Sequence, residues 1–116
     1  MKTLNKNLIF FLPNFTKGGA GYAILRLCEY LKNKNYNLNV ICIGNCELKK
    51  DLKKHKVKIY EINSFSTFHS IPKLKSITEK IIDSTKYKSV FISNHHYANV
   101  ISMMALKRLK IKKILI

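Results

Sequence analysis

Carboxylates are scarce in this chain. Asp and Glu together number 6 against 22 Lys and Arg, giving a net charge of +16 over 116 residues. The acids are Glu29, Glu47, Asp51, Glu61, Glu79 and Asp83, and each falls on a segment that reads as a helix or as the third strand. None falls in the two loops that carry the glycine pair and the histidine pair. A hydrolase built on paired carboxylates needs both of them beside its substrate, so that class is excluded. No Gly-x-Ser-x-Gly occurs, which leaves a Ser-His-Asp hydrolase without its nucleophile elbow. Cysteine is limited to Cys28, Cys42 and Cys46. An odd number without zinc-type spacing argues against a disulfide framework, and Cys28 and Cys42 fall on expected core faces as packed, reduced thiols. No Asp, Glu or Cys lies near His95 and His96 in sequence, so no metal site is expected. Long apolar runs are missing too. Leu8 to Leu12, the longest near the start, is too short for a signal-peptide core or a membrane span, and a cytoplasmic protein is expected.

Arginine is also nearly absent: Arg26 and Arg108 stand alone among the basic residues. Arginine supplies the bidentate forks that read guanine and grip phosphate. A lysine excess with abundant Asn and Ile fits an A/T-biased coding sequence, so nucleic acid is not the expected partner. An anionic membrane surface needs only lysine density on one face, and it stays a candidate, with the protein peripheral on the inner face of the membrane.

What is present is a regular alternation of strand and helix signals. Leu8 to Leu12 reads as a strand. Ala20, Ala23, Ile24, Leu27, Cys28 and Leu31 then recur at the spacing of one helical face. After punctuation at Asn33 to Asn37 come a strand from Leu38 to Ile43, a turn at Gly44-Asn45, a charged helix from Glu47 to Lys54, and a strand from Val57 to Ile62. A polar loop with Phe65 and Phe68 leads to Ile71-Pro72, where proline suits a helix's first turn. That helix, with Leu74, Ile77, Thr78, Ile81 and Ile82 on one face, ends before Tyr87. Ser89 to Ser93 reads as a strand, Asn94 to Tyr97 as a loop, Ala98 to Leu109 as a helix, and Lys113 to Ile116 as the start of a fifth strand.

Such alternation implies right-handed crossovers and a parallel sheet covered by helices on both faces. The expected fold is α/β, Rossmann-like, with strand order 3-2-1-4-5. Its ligand site lies outside the carboxyl ends of the strands, where the order reverses. Two loops meet there: Pro13 to Gly21, and Asn94 to Asn99.

Gly18-Gly19-Ala20-Gly21 opens the first helix. Reading Gly19 and Gly21 as the start of Gly-x-Gly-x-x-Gly puts Ile24 at the third glycine, and no acid ends the second strand, so a dinucleotide fingerprint is weak. A Walker loop fails, since Lys17 precedes the glycines. A short glycine turn facing one diphosphate remains, through unpaired N–H groups and the positive end of the helix dipole. The structural alternative is a tight turn without ligand. In the second loop, adjacent His95 and His96 diverge from an extended backbone, so at most one of the pair faces the cleft, and the other reading of either is surface packing.

These pieces, taken in order, resemble the N-terminal domain of a family 4 glycosyltransferase of the GT-B type. The likeness runs through Phe10-Phe11-Leu12-Pro13 and Gly18-Gly19-Ala20, the helix ending Leu31-Lys32-Asn33-Lys34-Asn35-Tyr36, the strand Leu38 to Ile43, and Val90-Phe91-Ile92-Ser93-Asn94 leading into Tyr97-Ala98-Asn99. The resemblance implies two Rossmann-like domains, of which residues 1–116 are the acceptor-side one, with the donor-binding domain lying beyond Ile116. It implies no cofactor, a nucleotide-sugar donor, and a glycan or lipid-linked acceptor. Gly18, Gly19 and Lys17 would approach the donor diphosphate. Asn94, His95 and Tyr97 would border the acceptor. Phe65 and Phe68, with Lys73 and Lys75, would touch a lipid-linked acceptor or the membrane, unless both rings pack under their loop. Where the family often carries Glu and then Arg or Lys after Gly-Gly-Ala, Gly21 and Tyr22 stand here. Lys88-Ser89 stands where an Asp commonly introduces the fourth strand. A chain of this extent is expected to be inactive alone. The rival expectation is a non-enzymatic Rossmann-like module that binds a nucleotide or nucleic acid.

Overall fold

Leu8 to Leu12 is apolar at every position, which suits a strand with protein on both faces rather than one with a wet side. In the computed structural model, which describes residues 6–13, 19–32, 34–63, 68–85, 88–93, 96–107, 109 and 111–115, that segment is the middle of the sheet. The elements are β1 (Lys6–Leu12), α1 (Gly19–Leu31), β2 (Tyr36–Ile43), α2 (Lys49–Lys54), β3 (Lys58–Ile62), a 3-10 turn (Phe68–Ser70) running into α3 (Ile71–Asp83), β4 (Lys88–Ser93), α4 (His96–Leu106) and β5 (Lys112–Leu115). All strand pairs are parallel, and the order is β3-β2-β1-β4-β5. The fold is α/β and Rossmann-like, with the topology expected from right-handed crossovers.

The pleat sorts the core into two layers. Leu8, Phe10, Leu12, Val40 and Cys42 point to one face, where Ile24 and Cys28 of α1 and Leu52 of α2 cover them. Ile9, Phe11, Ile41 and Phe91 point to the other, under Leu74 and Ile81 of α3 and Ile101 and Ala105 of α4. Phe11 and Phe91, diagonal neighbours across β1 and β4, set their ring centroids 6.1 Å apart at a tilt of 38°.

Three local expectations change. The helix expected from Ala98 to Leu109 begins at His96 and ends at Leu106, so Tyr97 belongs to the helix and not to the preceding loop. Apolar periodicity reports a packed face and misses a first turn that precedes it. The second helix starts at Lys49 rather than Glu47. On α1, Ala20, Ala23 and Leu27, expected on the core face, are exposed, and the buried residues are Gly21, Ile24 and Cys28. The apolar arc of α1 is therefore wider than the surface that the described residues bury.

A polar chain also crosses the apolar sheet. Asn39 donates its amide to Asn7 Oδ1 at 2.7 Å and to the Leu8 carbonyl at 3.0 Å, and Asn7 donates to Ser89 Oγ at 3.2 Å. All three side chains are buried. Each is paired, which removes most of the cost of burying an amide.

Phe11 is fully buried in the layer between the sheet and helices α3 and α4. Its replacement by Ala is expected to cost about 3–5 kcal/mol, read as a fall in the urea midpoint with an unchanged slope.

Candidate functional site

The strand order reverses between β1 and β4, whose carboxyl ends are paired through Phe11 and Ser93. From that edge α1 sets out on one face of the sheet and α4 on the other. Two helix amino termini therefore flank the crevice, each with N–H groups that the helix itself leaves unpaired. Neither helix has an acidic residue in its first turn. The local field is that of two positive dipole ends with no carboxylate against them.

Gly19 is the first residue of α1 and is exposed. A Cβ built on it meets nothing within 4 Å, so the fold makes no steric demand for glycine at this place. Gly21, by contrast, is buried on the side of α1 that faces the sheet. The chain just beyond β1 is tethered, because the Ile43 N–H donates to the Pro13 carbonyl at 3.0 Å. Lys17, Gly18, Phe65, Asn94 and His95 lie outside the described residues. Tyr97 is in the first turn of α4 and Phe68 opens the 3-10 turn, so their backbones are placed.

Lys73 and Lys75 are both exposed near the start of α3. Lys73 Nζ donates to the Asn63 carbonyl at 2.9 Å and braces the end of β3. Lys75 lines a recess of about 210 Å³ between α3 and α4 with Ile71, Pro72, Met104, Ala105 and Lys107. The structure thus gathers the starts of α1 and α4 at the switch point and puts the two lysines on the α3–α4 side of the sheet.

Two features at the carboxyl edge escaped sequence reasoning. Ser93 ends β4 with its hydroxyl fully buried and without a hydrogen-bond partner among the described residues. A buried unpaired hydroxyl at a switch point is a candidate for contact with ligand or water; a serine closing an apolar strand was the only signal. The second is a cluster around the Gly44 turn, where φ is 82°. The Cys46 N–H donates to Glu61 Oε2 at 2.8 Å, and Lys49 Nζ donates to Glu61 Oε1 at 2.7 Å. The lysine ammonium first, then the backbone N–H, holds the Glu61 carboxyl below the ordinary range. Glu61 is in register with Cys42 on β2, so the acid nearest this edge is already engaged.

The thiols are not poised for chemistry. Burial pushes Cys28 and Cys42 up to about 12, with Cys46 and Glu61 adding to the rise at Cys42. Cys46 is raised as well, again by burial. All three are free and buried. Among the described residues no group of three His, Cys, Asp or Glu side chains could hold a metal ion, and no helix is long and apolar enough to cross a membrane.

No protein family matches the chain, and no curated protein is similar to it.

The raised thiols give stability a pH dependence with a definite sign. Below about pH 9 the thiols are protonated whether the chain is folded or not, and their contribution is complete. Between about 9 and 12 the unfolded chain ionises and the folded chain does not, so stability falls by about 1.4 kcal/mol per pH unit for each such thiol. Urea titrations from pH 8 to pH 11 should show a shallower decline for Cys28→Ala than for the native chain.

Proposed function

We propose that this chain is the acceptor-side, N-terminal domain of a two-domain retaining glycosyltransferase of the GT-B type. The complete enzyme moves a sugar from a nucleotide-diphosphate donor to a cell-surface glycan or a lipid-linked acceptor. The observation that carries the reading is the pair of helix amino termini, from α1 and α4, that flank the switch point with no acid in either first turn. Such a crevice suits a polyanionic leaving group and offers no carboxylate for hydrolysis.

In this reading the backbone N–H groups at Gly18 and Gly19, with Lys17, approach the donor diphosphate across the interdomain cleft. They stabilise the charge that grows on the leaving diphosphate as the glycosidic bond to it breaks. The open space beside Gly19 is where that group comes close. Asn94, His95 and Tyr97 border the acceptor from the opposite wall. The enzyme works in the cytoplasm at the inner face of the membrane. Phe65, Phe68, Lys73 and Lys75 form the side that meets a lipid-linked acceptor. Support for that placement comes from the recess beside Lys75 and Lys107, and from Val100, Met103 and Met104, which α4 leaves exposed.

Two measurements test the proposal. In a protein comprising both domains, Gly19→Val should lower kcat/KM for the donor by about tenfold or more, a loss of about 1.4 kcal/mol or more of transition-state stabilisation. The fold tolerates the added side chain, so the urea midpoint serves as control, and unchanged kinetics would leave the turn purely structural. The 116-residue chain by itself should transfer no sugar. Transfer at the rate of a two-domain enzyme would overturn the assignment of the donor site to a second domain.

A further inference from the structure

A second concave site lies at the other edge of the sheet, where the strands begin. Lys32, Tyr36, Asn37, His55, Lys56 and Lys58 line a recess of about 180 Å³ there. Lys32 follows the last residue of α1, Tyr36 and Asn37 open β2, His55 caps α2, and Lys58 is the first residue of β3. Parallel strands put their amino ends on one edge, so the recess is a strand's length from the switch-point crevice and shares no residue with it.

Its charge has one sign. Lys32, Lys56 and Lys58 are exposed, and no acid lines the recess. None of the three ammoniums has an ion pair or a hydrogen bond among the described residues. Glu29 on α1 sets its carboxylate 3.9 Å from His55 Nε2 and is the acid that faces this imidazole.

Helix dipoles do not account for the cluster. The carboxyl ends of α1 and α2 attract cations, but backbone groups already serve their last carbonyls. The Lys34 N–H donates to Leu31 at 2.9 Å, the His55 and Val57 N–H groups donate to Leu52 at 3.0 and 3.2 Å, and the Lys56 N–H donates to Lys53 at 3.0 Å. Lys58 belongs to a strand and answers to no helix end.

The backbone at Lys56 adds an independent observation. The bonds from Lys56 and Val57 back to Lys53 and Leu52 close α2 in the Schellman pattern, whose left-handed residue is usually glycine. Here that residue is Lys56, with φ at 61°. The other left-handed positions among the described residues are Gly44 and Asn35, types that this conformation favours. Lysine at this place sets a Cβ where glycine would be free of strain, and the side chain it keeps lines the recess. A local rule broken to retain one charged side chain marks a place where that charge has a use.

We propose that this recess binds a small phosphate anion of one or two phosphoryl groups, held by Lys32, Lys56 and Lys58, with Tyr36 and Asn37 as hydrogen-bond donors. Size sets the upper bound. At about 30 Å³ per water the space holds roughly six waters, whereas pockets for drug-sized ligands start at about 300 Å³. A larger molecule therefore enters only by its phosphate end. A free anion and the phosphate headgroup of a lipid share this chemistry, and the test separates them.

Titrating the isotope-labelled 116-residue chain with pyrophosphate at constant ionic strength should move the amide signals of Tyr36, Asn37, Lys56 and Lys58. Lys56→Gly removes an ammonium and relieves the left-handed backbone, so the urea midpoint should hold or rise while affinity falls about threefold or more. Lys58→Gln should weaken binding by a similar factor. Lys112→Gln takes the same charge from β5, on the far side of the sheet, and should leave affinity unchanged. Sedimentation with phosphatidic acid vesicles that Lys56→Gly abolishes, in a chain that does not respond to pyrophosphate, would assign the site to a lipid headgroup. An equal loss in Lys112→Gln would reduce the effect to net charge and overturn the proposal. So would unchanged affinity in Lys56→Gly, signal changes confined to the first turns of α1 and α4, or no response to either probe.

Discussion

The structure depends on β1 being paired along both edges and buried on both faces. Tyr36 to Cys42 run beside it on one side and Lys88 to Ser93 on the other, so no position of β1 beyond its first residue has a solvent side. A strand so placed must be apolar or have its polar groups paired, and its neighbours are delivered by crossovers on both faces, α1 and α2 on one and α3 and α4 on the other. The two-layer core follows from that one demand. So does the candidate site, because a strand flanked on both sides by later strands creates the reversal of order, and the helices that leave β1 and β4 there point their amino ends at the same crevice.

Charge is distributed as unevenly as the topology. Every acid lies on α1, on α2 and β3, on α3, or just before α2, and Glu61 is held by Lys49 and the Cys46 backbone. Neither α1 nor α4 has an acid in its first turn, so the described part of the switch point is left to dipole ends. A chain with +16 net charge pays in self-repulsion, and a part of that cost is recovered wherever an anionic group binds. The same imbalance thus favours an anion at the crevice.

Strand identity, order and the switch point were legible in the sequence because each rests on local apolarity plus handedness, and neither needs knowledge of a partner. Other features were not, each for a physical reason. Periodicity placed Ala20, Ala23 and Leu27 on an apolar face of α1, but a helical face has no label for the neighbour that covers it, and the described residues supply none. Asn7 precedes the expected first strand and Asn39 falls inside the second, and both are buried, because amide pairs across adjacent strands cannot be seen one segment at a time. Ser93 and Glu61 owe their surroundings to register, which sets which side chains meet across strands distant in sequence. At the candidate site, the switch point was readable and the backbone of Gly19 and Tyr97 is placed. The groups that would touch a ligand sit mainly in loops, where sequence pattern carries least information.

The Asn39–Asn7–Ser89 chain has a bearing on how this sheet assembles. A parallel sheet with uniformly apolar strands can pair them in several alignments of nearly equal energy, and an all-Val or all-Ile sheet has little to choose among them. Three polar side chains on adjacent strands act as a key. A shift of β1 by a single residue would turn Asn7 toward the layer of Leu8 and Phe10 and strand its amide without a partner, at a cost of about 1–3 kcal/mol. The central strand therefore carries its own alignment mark.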